Sequence, residues 1–241
     1  MTTPSVIVTQ HGPQVPPGYV EPALAAAGVD YKIVLLHTGT PVPALTGWDG
    51  IVSLGGAMGA YDEADYPYLV AEKKLLRDAV DAGIPVLGLC LGCQLLADTL
   101  GGRAYQAELP EIAFTTIPLT AEGVADSVVG TMTGPALTFH QDTWDLPPGA
   151  VLLAATEMYP QAFRLGSAVG IQSHPEAPPE LIEEWIVSEV GERHLATAGV
   201  DGRAIVAAME DARADSEAMA AELFAAWLVE VTRYSEAFAG R

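Results

Sequence analysis

The stretch from Pro85 to Gly102, PVLGLCLGCQLLADTLGG, joins a short apolar run to a segment of helical character. The run before Cys90 has the length and composition of a buried β-strand. The segment LLADTLGG that follows is typical of a helix that ends at two glycines. A buried strand that leads directly into a helix is the repeating unit of a parallel sheet, so this stretch predicts an α/β fold.

The residues upstream repeat the same order of strand and helix. Two segments have helical spacing, VEPALAAAG and YPYLVAEKKLLRDAVDAG, and the second ends at Gly83 as a helix cap. Short apolar runs on either side of them are predicted strands: Ser5–Gln10, Tyr31–Leu36, Gly50–Gly56 and Ile84–Cys90. This alternation predicts a parallel sheet that is covered by helices on both faces.

The downstream half of the chain has a different pattern. Between Ala113 and Ser173 the strand-like segments are AFTTIPL, PALTFHQ, AVLLAATE, QAFRL and AVGIQSH, with AEGVADSVVG as a short helix. We expect this part to form an antiparallel extension or edge of the same sheet. After Pro178 the pattern is helical, and in the last segment one apolar stripe recurs every four residues: Met219, Leu223, Trp227 and Val231.

The predicted fold class is therefore α/β. We expect a three-layer sandwich with a mostly parallel, doubly wound central sheet of the flavodoxin-like type, an antiparallel extension and C-terminal helices. The absence of internal repeats and low-complexity linkers favours one domain over residues 1–241.

Composition excludes several classes of partner. Eleven basic residues against thirty-one acidic residues give a formal net charge of −20, which repels nucleic acids and anionic membrane surfaces. The first residues, MTTPSVIVTQHGP, lack the pattern of a signal peptide, and no apolar run approaches the length of a membrane helix. We expect a cytoplasmic protein with no membrane or nucleic-acid partner.

The sequence around Cys90 indicates a nucleophile. Gly88-Leu89-Cys90-Leu91-Gly92 is G-x-C-x-G, the cysteine counterpart of the nucleophile elbow. The two glycines remove side chains that would collide where the backbone reverses. Such a turn presents the thiol at the carboxyl edge of the sheet, beside free N–H groups of a helix that favour the thiolate.

Three other interpretations of the cysteine pair remain. Cys90 and Cys93 form C-x-x-C at a helix start, where a dithiol redox pair would lie. They could also be half of a zinc site, but no second C-x-x-C or H-x-x-x-H exists to complete it. The third interpretation is a pair of inert core thiols, and a core position is expected for Cys93 in any case.

A cysteine nucleophile needs a histidine base and an acceptor that orients it. Of the five histidines, His174 ends the apolar run AVGIQSH and stands two residues before Glu176, with Pro175 between them. In an extended segment this spacing puts both side chains on one side. His11 follows the first strand and is interpreted as a loop histidine, with a place at the border of the site as the alternative; His37 and His194 are expected at the surface.

Attack on a carbonyl also needs donors for the oxyanion. One is the backbone N–H of Leu91, the residue after the nucleophile. The other is expected in SLGGAMGA, where the predicted strand delivers Gly55 and Gly56 to the same edge of the sheet. This glycine turn lacks the lysine and the spacing of a phosphate-binding loop.

The motifs GGAMG, GLCLGCQ and SHPE, in this order, resemble those of the class I glutamine amidotransferases. Residues 61–102 and 139–176 look most like the stand-alone subgroup that is similar to the amidotransferase domain of GMP synthase. The resemblance covers nearly the whole chain, from about Val6 to the C-terminal helices. It implies a Cys-His-Glu triad and glutamine as substrate, with neither a cofactor nor a metal.

The resemblance also implies roles for individual residues. Cys90 would attack the γ-amide carbon, His174 would move protons and Glu176 would orient His174. Oxyanion donors would be Gly56 and Leu91, and substrate contacts would come from Gln94, His140 and Asp142, the last two from the motif FHQD. The resulting thioester would be hydrolysed to glutamate after ammonia leaves.

Two positions depart from the family pattern. In the oxyanion loop Ala57 and Gly59 replace the usual proline and serine, which implies a looser loop. Ser173 replaces the aromatic residue that usually precedes the catalytic histidine, which implies a wider pocket beside the triad.

Three functions are compatible with these residues. The first is a glutaminase that donates ammonia to a synthase on a separate chain, since no ATP-pyrophosphatase signature is found. The second is a hydrolase of γ-glutamyl compounds that uses the same triad and needs no partner. The third is a catalytically silent binding module on the same fold, because a fold does not determine a function.

Overall fold

The computed structural model describes residues 3–238. Its strands are β1 (Ser5–Gln10), β2 (Asp30–Leu35), β3 (Gly50–Ser53), β4 (Val86–Leu89), β5 (Arg103–Thr116), β6 (Pro135–Asp145), β7 (Val151–Ala155), β8 (Pro160–Leu165) and β9 (Ala168–Ile171). Its α-helices are α1 (Val20–Ala26), α2 (Tyr68–Asp81), α3 (Leu91–Thr99), α4 (Ala121–Ala125), α5 (Pro179–Ile186), α6 (Glu189–Ala198), α7 (Gly202–Asp211) and α8 (Arg213–Phe238).

The central sheet has seven strands in the order β2-β1-β3-β4-β9-β8-β7. The first five are parallel and the last two are antiparallel, which confirms the predicted fold class. Both faces of the sheet are buried: in β1, Val6 and Val8 pack into one hydrophobic core, and Ile7, between them, packs into the other. Strands of this kind are nearly continuous apolar runs, as the sequence showed.

Helices cover the two faces as separate layers. One face packs against α1 and α8, and the predicted α8 stripe is confirmed, since its members are all buried: Met219, Leu223, Trp227 and Val231. The other face packs against α2 and α3. None of the helices in the described residues combines the length and the apolarity of a membrane span.

The expectation that the whole downstream part extends the main sheet is wrong for its first two strands. β5 and β6 form a separate antiparallel ribbon, and only β7, β8 and β9 join the central sheet. The ribbon buries Trp144 edge-on against Phe163 of β8, with ring centroids 4.9 Å apart. It is also tied to the end of β9, because the N–H of His174 donates to the carbonyl oxygen of Leu137 at 2.7 Å.

The strand order determines which loops meet. β1, β3, β4 and β9 are four adjacent parallel strands, so their carboxyl ends lie side by side at one edge of the sheet. The chain reverses its direction of strand addition between β1 and β3, and open α/β sheets bind ligands at such a point.

Candidate active site

Cys90 occupies the sharp turn between β4 and α3. Its φ is +50°, and it is the one non-glycine residue with a positive φ within residues 3–238. Both predicted glycines prove necessary, because a Cβ on Gly92 would collide with the Ser53 carbonyl and one on Gly88 with the Gly92 carbonyl. The backbone at Cys90 is therefore the strained elbow that the sequence predicts.

The thiol lies at the positive end of a helix dipole. Leu91 is the first residue of α3, so its N–H has no acceptor within the helix. The N–H groups of this first turn favour a negative charge on the sulfur. Cys93 is completely buried in the core, as expected, and burial raises the pKa of its thiol well above the ordinary value.

His174 and Glu176 contact each other at the end of β9. Nδ1 of His174 is 2.8 Å from Oε1 of Glu176, and both side chains are buried. The predicted contact is therefore present, but the chain turns at Pro175 and Glu176, and Ala177 N–H donates to the carbonyl oxygen of His174, so the two side chains meet across a turn and not along an extended segment. Because β9 pairs in parallel with β4, this pair lies at the same edge of the sheet as Cys90.

Cys90 and His174 meet across Gly55. A Cβ on Gly55 would lie 3.2 Å from Cε1 of His174 and 3.7 Å from Cβ of Cys90. Nε2 of His174 has no hydrogen-bond partner within the described residues, so it can exchange a proton with the thiol or a substrate. Burial alone would lower the pKa of His174, but Cys90 and Glu176 raise it well above its ordinary value. The site therefore favours the protonated form of His174.

Trp185 of α5, which sequence reasoning missed, packs edge-on against the imidazole of His174 with ring centroids 4.8 Å apart. Its indole N–H donates to the carbonyl oxygen of Gln14 at 2.6 Å, which holds the ring in place. Ser173 is completely buried. The wider pocket expected beside the triad stays a prediction.

The structure brings the three predicted substrate residues together. Nε2 of Gln94 donates to the carbonyl oxygen of Asp142 at 3.3 Å. His140 is buried, with Nδ1 2.9 Å from the same carbonyl and Nε2 3.2 Å from Glu111. Burial raises the pKa of the Asp142 carboxyl, although a hydrogen bond from Tyr61 acts to lower it. His140 thus holds the backbone at Asp142 in place, and Gln94 and Asp142 are the polar groups available on this side of the site.

Gln172 is a second side chain that sequence reasoning missed. It is completely buried, and its Nε2 lies 3.7 Å from Sγ of Cys90, within donating distance of the sulfur. Its Oε1 accepts from Nε2 of Gln94 at 3.4 Å. The signal that could have revealed it is its position two residues before His174, which puts both side chains on one side of the extended segment.

Glu111 forms a third group that sequence reasoning missed. Its carboxylate accepts from Gln161 Nε2 and from Thr156 Oγ1, each at 2.6 Å. With the contact to His140, this network joins the β5–β6 ribbon to the antiparallel strands β7 and β8. Within residues 3–238 we find no cluster of three or more His, Cys, Asp or Glu side chains arranged to hold a metal ion.

His11 lies in the loop that follows β1, as interpreted, but it also borders the site, which was the alternative. Its ring lies completely buried beneath the Gly55-Gly56 turn, with Nδ1 3.0 Å from the carbonyl oxygen of Gly55. Nε2 lies 2.7 Å from Oε2 of Glu72 on α2. A Cβ on Gly56 would lie 3.1 Å from Cβ of His11, so the turn rests on this residue.

The two other histidines lie away from the site. His37 is exposed, as expected, and His194 is half-buried on α6. Neither contributes to the edge of the sheet where Cys90 and His174 meet.

Comparison with known proteins gives a consistent family match. The model of the family described as "Glutamine amidotransferase class-I" matches residues 19–189. A GMP synthase (glutamine-hydrolyzing) of Thermomicrobium roseum is 37% identical over 134 residues, which is 53% of this chain and 23% of that protein. The chain therefore matches less than a quarter of the length of this relative.

Solved structures match over nearly their full length. A glutamine amidotransferase from Thermotoga maritima has a TM-score of 0.83 and 26% identity, covering 94% of this chain and 99% of that one. A glutamine amidotransferase from Methylobacillus flagellatus has a TM-score of 0.82 and 26% identity, covering 95% and 96%.

Proposed function

The chain belongs to the class I glutamine amidotransferases, and on this premise we propose that it hydrolyses the side-chain amide of glutamine through a thioester at Cys90. The observation that supports this most is the meeting of Cys90 and His174 across Gly55, at the carboxyl edge of the sheet. A thiol, a base and an orienting carboxylate in contact are the components of a cysteine acyl-transfer site.

The proposed reaction has two halves. The thiol proton of Cys90 passes to Nε2 of His174, and Sγ forms a bond to the carbonyl carbon of the γ-amide of glutamine, whose oxygen becomes the oxyanion. The C–N bond then breaks, with the proton of His174 passing to the departing ammonia and a thioester remaining on Cys90. In the second half His174 takes a proton from water, whose oxygen bonds to the thioester carbon; the C–S bond then breaks, the proton returns from His174 to Sγ, and glutamate is released.

Neighbouring groups lower the energy of these steps. Glu176 holds the imidazole with Nε2 directed away from the carboxylate and stabilises the imidazolium. The N–H groups of Leu91 and Gly56 are the proposed donors for the oxyanion, each worth about 10²- to 10³-fold in rate. Gln172 adds a weak donor to the sulfur.

The amino acid part of glutamine is assigned to Gln94 and Asp142. Gln94 is buried and tied to Asp142 and Gln172, so its amide has one fixed orientation in the pocket. Asp142 is half-buried, and an α-ammonium group beside it would restore its charged form. His140 supports this segment from behind through Glu111.

We further propose that residues 1–241 act as one amidotransferase domain that delivers ammonia to a synthase on another chain. The support is the similarity of this chain to part of a glutamine-hydrolyzing GMP synthase. A hydrolase of γ-glutamyl compounds would use the same residues. The two functions differ in the substrate that the chain hydrolyses.

The test is an assay of the purified chain with glutamine and, separately, with γ-glutamyl dipeptides. We expect equal release of glutamate and ammonia from glutamine, and labelling of Cys90 by a glutamine-derived chloroketone. Cys90→Ser should abolish both, whereas Cys93→Ala, a matched change in the core, should retain them. Turnover that survives in Cys90→Ser, or hydrolysis of dipeptides but not glutamine, would contradict the proposal.

A further inference from the structure

A completely buried ion pair lies under the Gly55-Gly56 turn. Nε2 of His11 contacts Glu72 at 2.7 Å, and neither side chain is exposed. The other carboxylate oxygen of Glu72 accepts from Thr9 Oγ1 at 2.6 Å and from Ser53 Oγ at 2.9 Å. Glu72 thereby accepts from three donors, two of them from β1 and the residue just after it and one from the end of β3.

Both ring nitrogens of His11 act as donors. Burial alone would lower the pKa of His11, but Glu72 outweighs it and the pKa is raised. Burial would likewise raise the pKa of Glu72, but His11 and the two hydroxyl groups lower it. The charged imidazolium can therefore donate from Nε2 to Glu72 and from Nδ1 to the carbonyl oxygen of Gly55.

The hydrogen bond from Nδ1 of His11 to the Gly55 carbonyl oxygen determines the orientation of the Gly55-Gly56 peptide group. In a planar trans peptide the C=O and the following N–H point in opposite directions. The Gly55 carbonyl points to His11, so the N–H of Gly56 points away from His11. The Gly55 side of the turn faces Cys90 and His174, as the contacts of a Cβ at this position show.

A buried ion pair rarely stabilises a fold more than well-packed apolar residues would, so its presence calls for another explanation. The turn it supports has two adjacent glycines, which leave the backbone free to rotate. Ala57 follows them, and alanine does not restrict the backbone as a proline would. A hydrogen-bond donor held in place beneath the turn would restrict this rotation of the backbone.

We propose that His11 and Glu72 are positioning residues that hold the Gly55-Gly56 peptide with its N–H turned toward the oxyanion position. The inference deepens the proposed function and rests on it for its kinetic consequence. The orientation of the peptide itself does not depend on turnover.

The experiment uses matched variants that leave no buried charge unpaired. Glu72→Gln serves as the background, and in it His11→Asn keeps an N–H donor near the position of Nδ1 while His11→Leu, of similar shape, has none. We expect the Leu variant to lose about 10²-fold in kcat with little change in KM, and the Asn variant to recover most of that loss.

Two further measurements separate positioning from mere stability. Alkylation of Cys90 by iodoacetamide does not form an oxyanion, so its rate should stay within about threefold in all variants. Equal kcat in the Leu and Asn variants, or a parallel fall in alkylation, would overturn the proposal. Crystal structures supply the second measurement: the Gly55 carbonyl should face residue 11 in the Asn variant and turn away in the Leu variant.

The outcomes distinguish this inference from the proposed function. If the wild-type chain does not hydrolyse glutamine, the proposed function fails, and the crystal structures alone decide the inference. An unchanged Gly55 carbonyl in the Leu variant would then refute the positioning role, and a turned peptide would support it.

Discussion

The imidazole of His174 is held by Glu176 through a contact of 2.8 Å between Nδ1 and Oε1, and neither side chain reaches solvent. Glu176→Gln removes the charge while keeping the shape. We expect kcat for glutamine to fall about 10²- to 10⁴-fold, because the amide can hold the wrong tautomer and cannot stabilise the imidazolium.

The same variant should change the pH dependence. Cys90 and Glu176 raise the pKa of His174, so the wild-type imidazolium persists to higher pH than in an ordinary histidine, and in the proposed mechanism it protonates the departing ammonia. Removing the charge of Glu176 lowers this pKa, and the alkaline limb of kcat/KM should move to lower pH. A profile from pH 6 to 10 measures the shift, and an alkaline limb that does not move would contradict the assignment.

The two cysteines should differ in reactivity although three residues separate them. Cys90 stands at a helix N-terminus beside His174, whereas Cys93 is completely buried and burial raises its pKa well above the ordinary value. We expect iodoacetamide to label one thiol per native chain and two per denatured chain, as counted by mass spectrometry. Native labelling should vanish in Cys90→Ala and persist in Cys93→Ala. Equal labelling of both native thiols would contradict this prediction.

Gly92→Ala should damage both stability and activity. Its Cβ would collide with the carbonyl oxygen of Ser53, so the elbow must move away from β3. We expect a loss of about 1–3 kcal/mol in the free energy of unfolding, seen as a lower Tm, and a large loss of kcat.

Gly134→Ala is the matched control for this change. A Cβ there would meet its nearest atom, on Met219, at 3.5 Å, an ordinary packing distance. Its free energy of unfolding should change by no more than about 0.5 kcal/mol. A Gly92→Ala variant as stable as Gly134→Ala would show that the elbow tolerates a side chain.

The buried pair of His11 and Glu72 predicts a pH dependence of stability. The pKa of His11 is raised, so its contribution is complete below the ordinary value of 6.5 and is lost as pH rises through the raised value. The pKa of Glu72 is lowered, so its contribution is complete above 4.5 and is lost as pH falls through the lowered value.

Wild type and Glu72→Gln should therefore differ most in Tm between these two ordinary pKa values. The difference should shrink as the pH rises into the alkaline range and as it falls below the carboxyl range. Melting curves of both proteins across pH 4–9 measure it. A difference that stays constant across this range would show that the pair is not charged in the folded chain.

Local patterns were sufficient to predict the elbow and the pair that faces it. Glycines two residues on either side of Cys90, and the spacing of His174 and Glu176, depend on backbone geometry within a few residues. Parallel strand order then brings the two segments to one edge of the sheet. These inferences needed no knowledge of long-range packing.

Long-range pairing explains what the sequence did not reveal. Glu72 lies on the same face of α2 as Leu69 and Leu76, but a carboxylate at such a position does not reveal its partner, because His11 stands 61 positions away. β5 and β6 have ordinary strand patterns, and such patterns do not specify which sheet a strand joins. Trp185 reaches His174 only because α5 folds back over the end of β9.

The positive φ of Cys90 also limits the stability of the folded chain. A non-glycine residue held at this φ costs about 1–3 kcal/mol, a cost that glycine would largely avoid. The chain thus carries a cost in stability at the position of the proposed nucleophile. Selection for thermal stability alone would favour Cys90→Gly, which would give a more stable chain without this thiol. Retention of the cysteine therefore depends on a benefit from its chemistry.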